Sequence, residues 1–343
     1  RTQYRDVTDW FRMSSCNLRI DESYARRHTF KASLTSQLNR FNQIKTGFEL
    51  NIDDIHEEYG ALDPSVNGGS RQFVYVKPIT LGAYIQDKLE FQGMIANIGL
   101  RFDYLRTGEW IDLNDDPTDK ASGPFPTAFE ANNFFTQWDD PTRNTTSHFY
   151  VSPRIGISHP ISQDSKIFFN YGHFYKWAET NEMYLAYQSM SRGFRTERFG
   201  NIHLKPPRTI QYEIGYSQNV LDFARVEVTG YYKDITDEVR DSRYRYISGF
   251  EYRTYTNNRY EDTRGFEARI DFPGTSFLSG WINYNYMLSS SGEYGFYRFY
   301  EDPNAIPQRR STGVSQAHAR PETKANIAFH TPTDFGPALA GYN

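Results

Sequence analysis

Apolar and polar residues alternate one by one in segments spread along the whole chain. In residues 94–104, Ile98, Leu100 and Phe102 share one face, whereas Arg101 and Asp103 share the other. Alternation of this kind puts every second side chain on the same side of an extended backbone, so it predicts β-strands. The same pattern runs through 211–217, 225–233 and 265–272, and further strands fit near 28–36, 43–53, 79–91, 149–160, 166–175, 277–288 and 322–331.

The predicted strands have a length of about 9–13 residues, which is long for a globular protein and suits a tilted strand that crosses a membrane. Charged side chains are costly against lipid, so the apolar face should point outward and the polar face toward a hydrated lumen. A slip of one residue would reverse both faces. The residues predicted to point outward are Ile98, Leu100, Phe102, Ile214, Val226, Val228, Ala268, Ile270, Ile282 and Tyr284. The residues predicted to form the lumen-facing wall are Arg101, Asp103, Arg225, Glu227, Lys233, Glu267 and Arg269, with Glu213 on the same side.

Short and long connections alternate between these strands. Short turns are predicted at 38–40, 92–93, 162–165, 218–222, 273–275 and 331–336, and long polar segments near 54–76, 106–147, 178–207, 236–261 and 289–320. In an up-and-down meander this order collects all the long loops at one end, as in outer-membrane barrels, whose long loops are extracellular. The pattern predicts an all-β fold, namely an antiparallel up-and-down transmembrane β-barrel wall of about eleven to twelve strands.

The composition agrees with a β protein that faces two solvents. Aromatic residues make up 17% of the 343 residues, while all hydrophobic residues together reach 38%. No run approaches the roughly 20 apolar residues of a membrane helix, which excludes a helical membrane protein. The net charge of −4 argues against nucleic acid as a partner. Cys16 is the only cysteine, so an internal disulfide and a cysteine-rich zinc site are excluded.

No motif for covalent chemistry is present. His56, Glu57 and Glu58 do not complete a zinc-protease signature, and no glycine-rich phosphate loop or nucleophile elbow occurs. The acidic residues near 114–119 lack EF-hand spacing, which favours a solvated loop over a calcium site. We therefore expect no enzyme activity, no catalytic residue, no metal and no cofactor.

Candidate substrate contacts lie in the predicted long loops. Arginine binds carboxylate and phosphate bidentately, so the loop arginines could hold an anionic substrate or lipopolysaccharide phosphates, or simply be solvated among acidic residues. Aromatic residues of the longest loop could form a substrate platform or pack within the loop. The residues selected are Phe134, Phe135, Trp138, Arg192, Arg195 and Arg198, and similar arginines follow at 240, 243, 245, 309 and 310.

Several segments resemble the barrels of TonB-dependent outer-membrane receptors. Residues 82–91 (GAYIQDKLEF) and 97–103 (NIGLRFD) resemble a hairpin of that family, and 152–156 (SPRIG) resembles the strand after it. Three more matches follow in the expected order, at 204–215 (LKPPRTIQYEIG), 231–235 (YYKDI) and 264–267 (RGFE). The likeness covers nearly the whole chain.

The resemblance implies an outer-membrane transporter of a bacterium, with a barrel of 22 strands and a plugged lumen. It implies that a nutrient binds at extracellular loops and passes when the plug is rearranged by TonB. We therefore expect residues 1–343 to be one partial barrel domain that lacks the plug, the export signal and the closing strand. The implied partners are its own plug domain, TonB, outer-membrane lipids and lipopolysaccharide, and a surface lipoprotein is left open.

Two other functions compete with this interpretation. One is a passive outer-membrane porin or channel with fewer strands, and the other is a secreted, soluble β protein that binds glycans through its aromatic residues. The sequence leaves the substrate open among iron chelates, cobalamin, oligosaccharides and peptides.

Overall fold

The computed structural model describes residues 18–63, 68–111, 143–189, 195–220, 223–245, 251–274, 278–293, 298–300 and 317–330. These residues form eighteen strands and one short helix, α1 (Thr180–Tyr184). The strands are β1 (Leu18–Asp21), β2 (Tyr24–Gln37), β3 (Asn42–Asp63), β4 (Gly68–Val76), β5 (Ile79–Phe91), β6 (Met94–Arg106), β7 (Trp110–Ile111), β8 (Arg143–Asn144), β9 (Ser147–Pro160), β10 (Ser165–Tyr175), β11 (Ala186–Ser189), β12 (Arg195–Phe199), β13 (Arg208–Val220), β14 (Ala224–Arg245), β15 (Glu251–Phe272), β16 (Leu278–Glu293), β17 (Arg298–Tyr300) and β18 (His318–Phe329). No helix in this part of the chain is long and apolar enough to span a membrane.

Eleven long strands follow one another as a curved antiparallel meander that we call the wall. In order they are β2, β3, β5, β6, β9, β10, β13, β14, β15, β16 and β18, and each pairs with the next. The turn after β5 is a tight one in which Gln92 and Gly93 both have positive φ, 47° and 81°. Such φ values are typical of a two-residue hairpin turn whose twist matches that of the strands. The all-β, antiparallel up-and-down fold predicted from the alternation is confirmed.

The cross-strand register keeps the two faces of the wall separate. Directly paired residues share a face, and Ile98 pairs with Ile155 while Arg101 pairs with Tyr84 and Ser152. The apolar face is uncovered, with 57% of Ile214 and 47% of Ile98 exposed. The concave polar face encloses the clefts described below. A single sheet layer with one uncovered apolar face is stable only against lipid, which agrees with the sequence pattern.

Three strands continue well past the wall at the end where the long connections lie. β3, β14 and β15 each have 22 residues, so the prediction of loops throughout 54–76 and 236–261 is wrong. The β14–β15 pairing continues through a bulge between Ile235 and Glu238, where Asp237 has a φ of 58°. These extensions carry many polar residues on both faces, yet their Thr and Tyr residues favour strands. Hydropathy alone therefore made them look like loops.

The extensions close a ring of eleven strands above the wall. Starting from β3, the pairing runs through β4, β11 and β12 to β15, and then through β14 and the wall strands back to β3. The β12–β15 contact is a single parallel pair, Arg198 with Arg253. Lower down, β2 pairs only with β3 and β18 only with β16 among the described residues. In the part of the chain that the structure describes, the ring is therefore closed only at the long-connection end.

A hydrophobic cluster lies inside this upper ring, and we call it the cap. It includes Trp110, Tyr184, Phe199 and Ile202, each at most 2% exposed. Trp110 lies in β7, Tyr184 in α1, Phe199 at the end of β12 and Ile202 in the stretch that follows β12. The full cluster consists of Val74, Val76, Leu105, Trp110, Ile111, Met183, Tyr184, Ala186, Phe199, Ile202 and Leu204.

Candidate functional site

The charged side chains of the wall neutralise one another within single strands. Residues two apart in a strand lie on one face, and the Arg101 guanidinium contacts the Asp103 carboxylate at 2.8 Å (Nη2 to Oδ1). Two equivalent pairs join Arg225 to Glu227 at 2.9 Å and Arg269 to Asp271 at 2.6 Å. Each pair combines a cation and an anion on the concave side, so the wall carries polar groups without a strong local field of one sign.

The remaining predicted wall residues occupy the same face by register. Lys233 pairs with Gln211, and its ammonium group lies 5.7 Å from the ring centre of Tyr231. Glu267 pairs with Thr229 and with Asn285. This register puts all seven predicted wall residues on one face, whereas their part in binding or transport stays a prediction.

A cleft of about 530 Å³ in the wall is lined by residues of five strands, and many of them are polar or aromatic. Arg154 lies over the ring of Phe174, with 4.6 Å between its Cζ and the ring centre. Asn170 donates a hydrogen bond of 3.2 Å to the Glu213 carboxylate. Arg154 and Phe174 are not among the site residues predicted from the sequence, because only the β9–β10 register brings them together.

Glycines on the concave face let large rings lie flat against the sheet. Gly215 pairs directly with Phe168, and a Cβ at Gly215 would collide with the Phe168 ring. Gly47 pairs with Tyr84 in the same way. Since glycine presents no side chain, the opposite ring can cross the strand and cover its backbone. These pairs keep the aromatic side chains close to the sheet and leave the lumen open.

The cap forms a roof over one side of this lumen. Met183 and Tyr184 of the cap line a cleft of about 300 Å³ together with Asp53, Arg101 and Asp103 of the wall. Burial raises the pKa of Tyr184 to about 12, and its hydroxyl accepts a hydrogen bond of 3.3 Å from the Gly108 N–H. The phenol therefore stays neutral at ordinary pH and ties the segment after β6 to α1.

Two asparagines fasten the stretch after β12 to the β14–β15 extension. Asn201 donates through Nδ2 to the Tyr255 carbonyl at 3.0 Å. Asn257 accepts from the Lys205 N–H at 2.8 Å, and it donates to the Lys205 carbonyl at 2.8 Å and to the Asp237 carbonyl at 2.7 Å. These bonds satisfy backbone groups that a loop would otherwise leave to water. Part of the predicted long connection at 178–207 is therefore a packed structure.

An arginine-rich pocket of about 370 Å³ lies between the cap and the extensions of β14 and β15. Arg198, Arg240 and Arg253 line it, together with the carboxylates of Glu182 and Asp241. Tyr255 also lines it, and its pKa is raised by burial while the nearby Arg198 charge opposes that shift. The pocket can bind oxyanions, because guanidinium groups are the side chains best suited to hold them.

Of the six candidate substrate contacts predicted from the sequence, Arg198 alone has a side chain that the structure describes. Arg198 lines the arginine-rich pocket. Arg195 lies in β12, and only its backbone is described. The other four lie outside the described residues, and they are Phe134, Phe135, Trp138 and Arg192. Within the described residues, no group of three or more potential metal ligands occurs.

Comparisons with known proteins agree with this architecture. The family model described as "TonB dependent receptor-like, beta-barrel" matches residues 1–342. Among solved structures, the copper transporter OprC has 14% identity and a TM-score of 0.52, over 79% of this chain and 41% of that chain. The FrpB iron transporter from Neisseria meningitidis has 11% identity and a TM-score of 0.50, over 89% of this chain and 49% of that chain.

At such low identity the two structures support the fold alone, and this chain spans less than half of the length of each. A search of curated proteins by sequence found no match. The family match, however, covers all but the last residue. The chain belongs to the TonB-dependent receptor β-barrel family of the bacterial outer membrane.

Proposed function

We propose that this chain forms the wall and the capped mouth of an outer-membrane transporter for a scarce nutrient. The nutrient binds at the long-connection end and passes through a lumen gated by a plug domain, which TonB rearranges. The mechanism is binding and gated passage without covalent chemistry. The observation that carries the proposal is the family match over residues 1–342.

The structure of the wall supports passage of a polar solute. Its charges are paired at 2.6–2.9 Å within single strands, so a solute meets dipoles and few unpaired charges. Its glycine–ring pairs, such as Gly215 with Phe168, keep side chains close to the sheet. Both features suit a lumen that must hold and release a folded plug or a polar nutrient.

The outward face supports contact with outer-membrane lipids and lipopolysaccharide. Tyr171, Tyr212 and Tyr232 lie side by side on adjacent strands, with ring centres 5.1 and 6.4 Å apart. A row of aromatic rings at one level is typical of the membrane interface of such barrels. We propose that this row marks the boundary with the outer leaflet, near the end where the long connections lie.

Growth and uptake assays test the proposal. A strain that lacks the gene and a strain that lacks TonB should share a defect on the same limiting nutrient, tested across iron chelates, cobalamin, oligosaccharides and peptides. Uptake that persists without TonB would identify a passive channel instead. Recovery of the gene product from culture medium would identify a secreted protein, and both outcomes contradict the proposal.

Sidedness gives a second test. Cysteines placed in 106–147 or at exposed positions of 178–207, such as Glu179 and Asn181, should react with an impermeant reagent on whole cells, whereas cysteines at Gly93, Asp164 and Gly274 should stay protected until the outer membrane is opened. The reason is that the long connections of such barrels are extracellular and the short turns periplasmic. The reverse labelling pattern would invert the topology.

We also propose that residues 1–343 are one part of a larger barrel domain. β2 and β18 each pair on one side only among the described residues, and each unsatisfied backbone group in lipid costs several kcal/mol. Further strands would satisfy both edges. A gene product extracted from outer membranes with a mass of 40.1 kDa would contradict this part of the proposal.

A further inference from the structure

One line of directly opposite residues crosses the concave face of the wall, and we call it the basic row. It contains Lys45 of β3, Arg154 of β9 and Lys233 of β14, and it contains no acidic residue. From β2 to β16 the row consists of Thr35, Lys45, Gln86, Gly99, Arg154, Gly172, Gln211, Lys233, Thr263 and Ser289. The three cations therefore share one level of the strand register.

These three cations form no ion pair with any described residue, in contrast to most other cations of the concave face. The others pair with a carboxylate two residues away in the same strand or directly opposite on the next strand. Such pairs are Arg27 with Asp53, Lys31 with Glu49, Lys88 with Glu90, Arg101 with Asp103, Arg225 with Glu227, Arg269 with Asp271 and Lys324 with Glu322. The residues two away from the cations of the row are Gln43, Gly47, Ser152, Gly156, Tyr231 and Ile235.

The groups that surround Arg154 leave its charge uncompensated. Its guanidinium lies 4.6 Å from the ring centre of Phe174, and a cation over a ring keeps its charge. The Glu213 carboxylate at the adjacent level is occupied by amides, because it accepts hydrogen bonds from Asn170 at 3.2 Å and from Gln211. The wall thus neutralises its other cations itself and leaves this row to a partner.

The cations of the row recur at every third strand. Strands β5 and β6 separate Lys45 from Arg154, and β10 and β13 separate Arg154 from Lys233. Adjacent strands are about 4.8 Å apart, so neighbouring cations lie about 14 Å apart along the wall and the set spans about 29 Å. One carboxylate or phosphate group reaches a single cation of this set. A folded domain with a diameter of about 30 Å reaches all three.

The surface around the row has room for such a broad partner. Gly99 and Gly172 flank Arg154 in the row, and the cleft of about 530 Å³ follows the middle of the row. The remaining positions are amides and hydroxyls. Such groups exchange a polar partner for water at little net cost in free energy, so a domain that binds here can also be released.

We propose that the basic row is a docking surface for the plug domain, which meets Lys45, Arg154 and Lys233 with carboxylate side chains. This inference rests on the proposed gated transport and names the charge that the plug presents to this part of the wall. Lipid does not reach the row, because the row lies on the concave face. Hydrated ion pairs are individually weak, so three separate pairs hold a domain in place and still allow its rearrangement.

Labelling of a single cysteine in the complete gene product, in isolated outer membranes, tests the inference. Gln86→Cys puts the thiol in the row between Lys45 and Arg154, in a background whose other cysteines are replaced by serine. A docked plug should cover this thiol and slow its reaction with a maleimide. Raising sodium chloride from about 0.1 M to about 1 M shortens the Debye length from about 10 Å to about 3 Å. We therefore expect faster labelling at the higher salt concentration.

Removing the charges of the row should have the same effect as salt. Lys45→Gln, Arg154→Gln and Lys233→Gln combined should accelerate labelling at low salt about 5- to 30-fold, the change in an equilibrium constant expected when several weak ion pairs are lost. The combined variant should also lose the salt dependence. Arg154→Gln alone should accelerate labelling by a smaller factor.

Lys166→Gln is the matched control for Arg154→Gln. Lys166 lies in β10, pairs with Ser217 and Pro160, and forms no ion pair with any described residue. It is six residues from Gly172 of the row, which is about 20 Å along the strand. This variant removes the same charge from the same face, and its labelling should match that of the wild type.

Each other outcome overturns the inference. Rapid labelling of Gln86→Cys at both salt concentrations would mean that no domain covers the row, and slow labelling that ignores salt would mean that charge does not hold it. Equal labelling in Arg154→Gln and Lys166→Gln would separate the row from docking. If the combined variant fails to assemble, the single variants and the salt dependence decide. Rapid labelling that pyrophosphate or citrate slows would assign the row to an anionic solute.

The outcome also stays separate from that of the proposed function. TonB-dependent uptake by a protein whose row is labelled rapidly contradicts the docking surface alone. Salt-sensitive protection of the row in a protein whose uptake needs no TonB contradicts the transport proposal alone.

Discussion

The wall and the cap are built from similar residues but stabilised in opposite ways. In the wall, Ile98 and Ile214 keep 47% and 57% of their surface exposed. In the cap, Trp110, Phe199 and Ile202 are each 1% exposed. The wall is one sheet layer whose apolar face needs lipid, whereas the cap is a small globular core that excludes solvent by packing.

Because of this difference, substitutions in the wall and in the cap should change stability for different reasons. The environment of a wall residue is set by the face on which it lies. Its position in the alternation along the strand therefore decides whether an apolar or a polar side chain is tolerated there. A cap residue is fixed by the volume it fills, so a change of a few methylene groups is felt. Four experiments separate these two kinds of stabilisation.

The largest effect is expected from Trp110→Ala in the cap. Removing a fully buried tryptophan should destabilise the cap by about 3–5 kcal/mol, because Trp110 contacts Phe73 and Tyr184 edge-on. Hydrogen exchange of the amides in 180–204 measures this loss. Trp281→Ala is the matched control, since Trp281 lies on the concave face beside Arg269. Equal acceleration in both variants would mean that the cap is not a separate core.

The next largest effect is expected from Val228→Arg in the wall. Val228 points outward near the middle of the wall part of β14 and pairs with Tyr216 and Ala268. An arginine there should cost about 2–4 kcal/mol against hydrocarbon. Reversible folding into lipid vesicles measures the cost, and the control Thr229→Arg puts the same charge on the concave face. A larger cost at Thr229 would reverse the assignment of the two faces.

A smaller effect separates the two faces of the wall at glycine positions. Gly215→Ala should destabilise by about 1–3 kcal/mol, because its Cβ would collide with the Phe168 ring. Gly230→Ala should be nearly neutral, since nothing lies within 4 Å of its Cβ position. Vesicle folding measures both. The double variant Gly215→Ala with Phe168→Ala should lose the steric part of the cost, and persistence of that part would point to backbone strain instead.

The smallest effect concerns pH, and it is expected in the cap. The pKa of the Tyr184 phenol is about 12 in the folded state against an ordinary 10.0. A raised pKa stabilises the fold fully below pH 10, and this contribution is lost as pH rises from about 10 to about 12. Hydrogen exchange in 180–204 should therefore accelerate over that interval, and Tyr184→Phe should abolish this component. The same acceleration in Tyr184→Phe would assign the pH dependence to another group.

Much of the wall could be predicted from the sequence. Alternation in 94–104 and 225–233 assigned Arg101 and Glu227 to the polar face and Val228 to the apolar face, and the register of β6 and β14 agrees. The short turn at Gln92 and Gly93 was also predictable, because positive φ at two successive residues has a sequence signature. These features are local, so a few neighbouring residues determine them.

The cap, the extended strands and the arginine-rich pocket depended on the tertiary structure. The sequence placed Arg198 in a loop and could not align it with Arg253, because their pairing requires β12 to meet an extension of β15. The contact between Trp110 and Tyr184 and the position of the Phe168 ring over Gly215 could likewise not be predicted from the sequence. Residue types and alternation determined which face each wall side chain takes, because lipid and water impose that choice strand by strand. Which distant segments meet at the mouth was decided only by closure of the ring, because non-local pairing depends on the register of every strand between them.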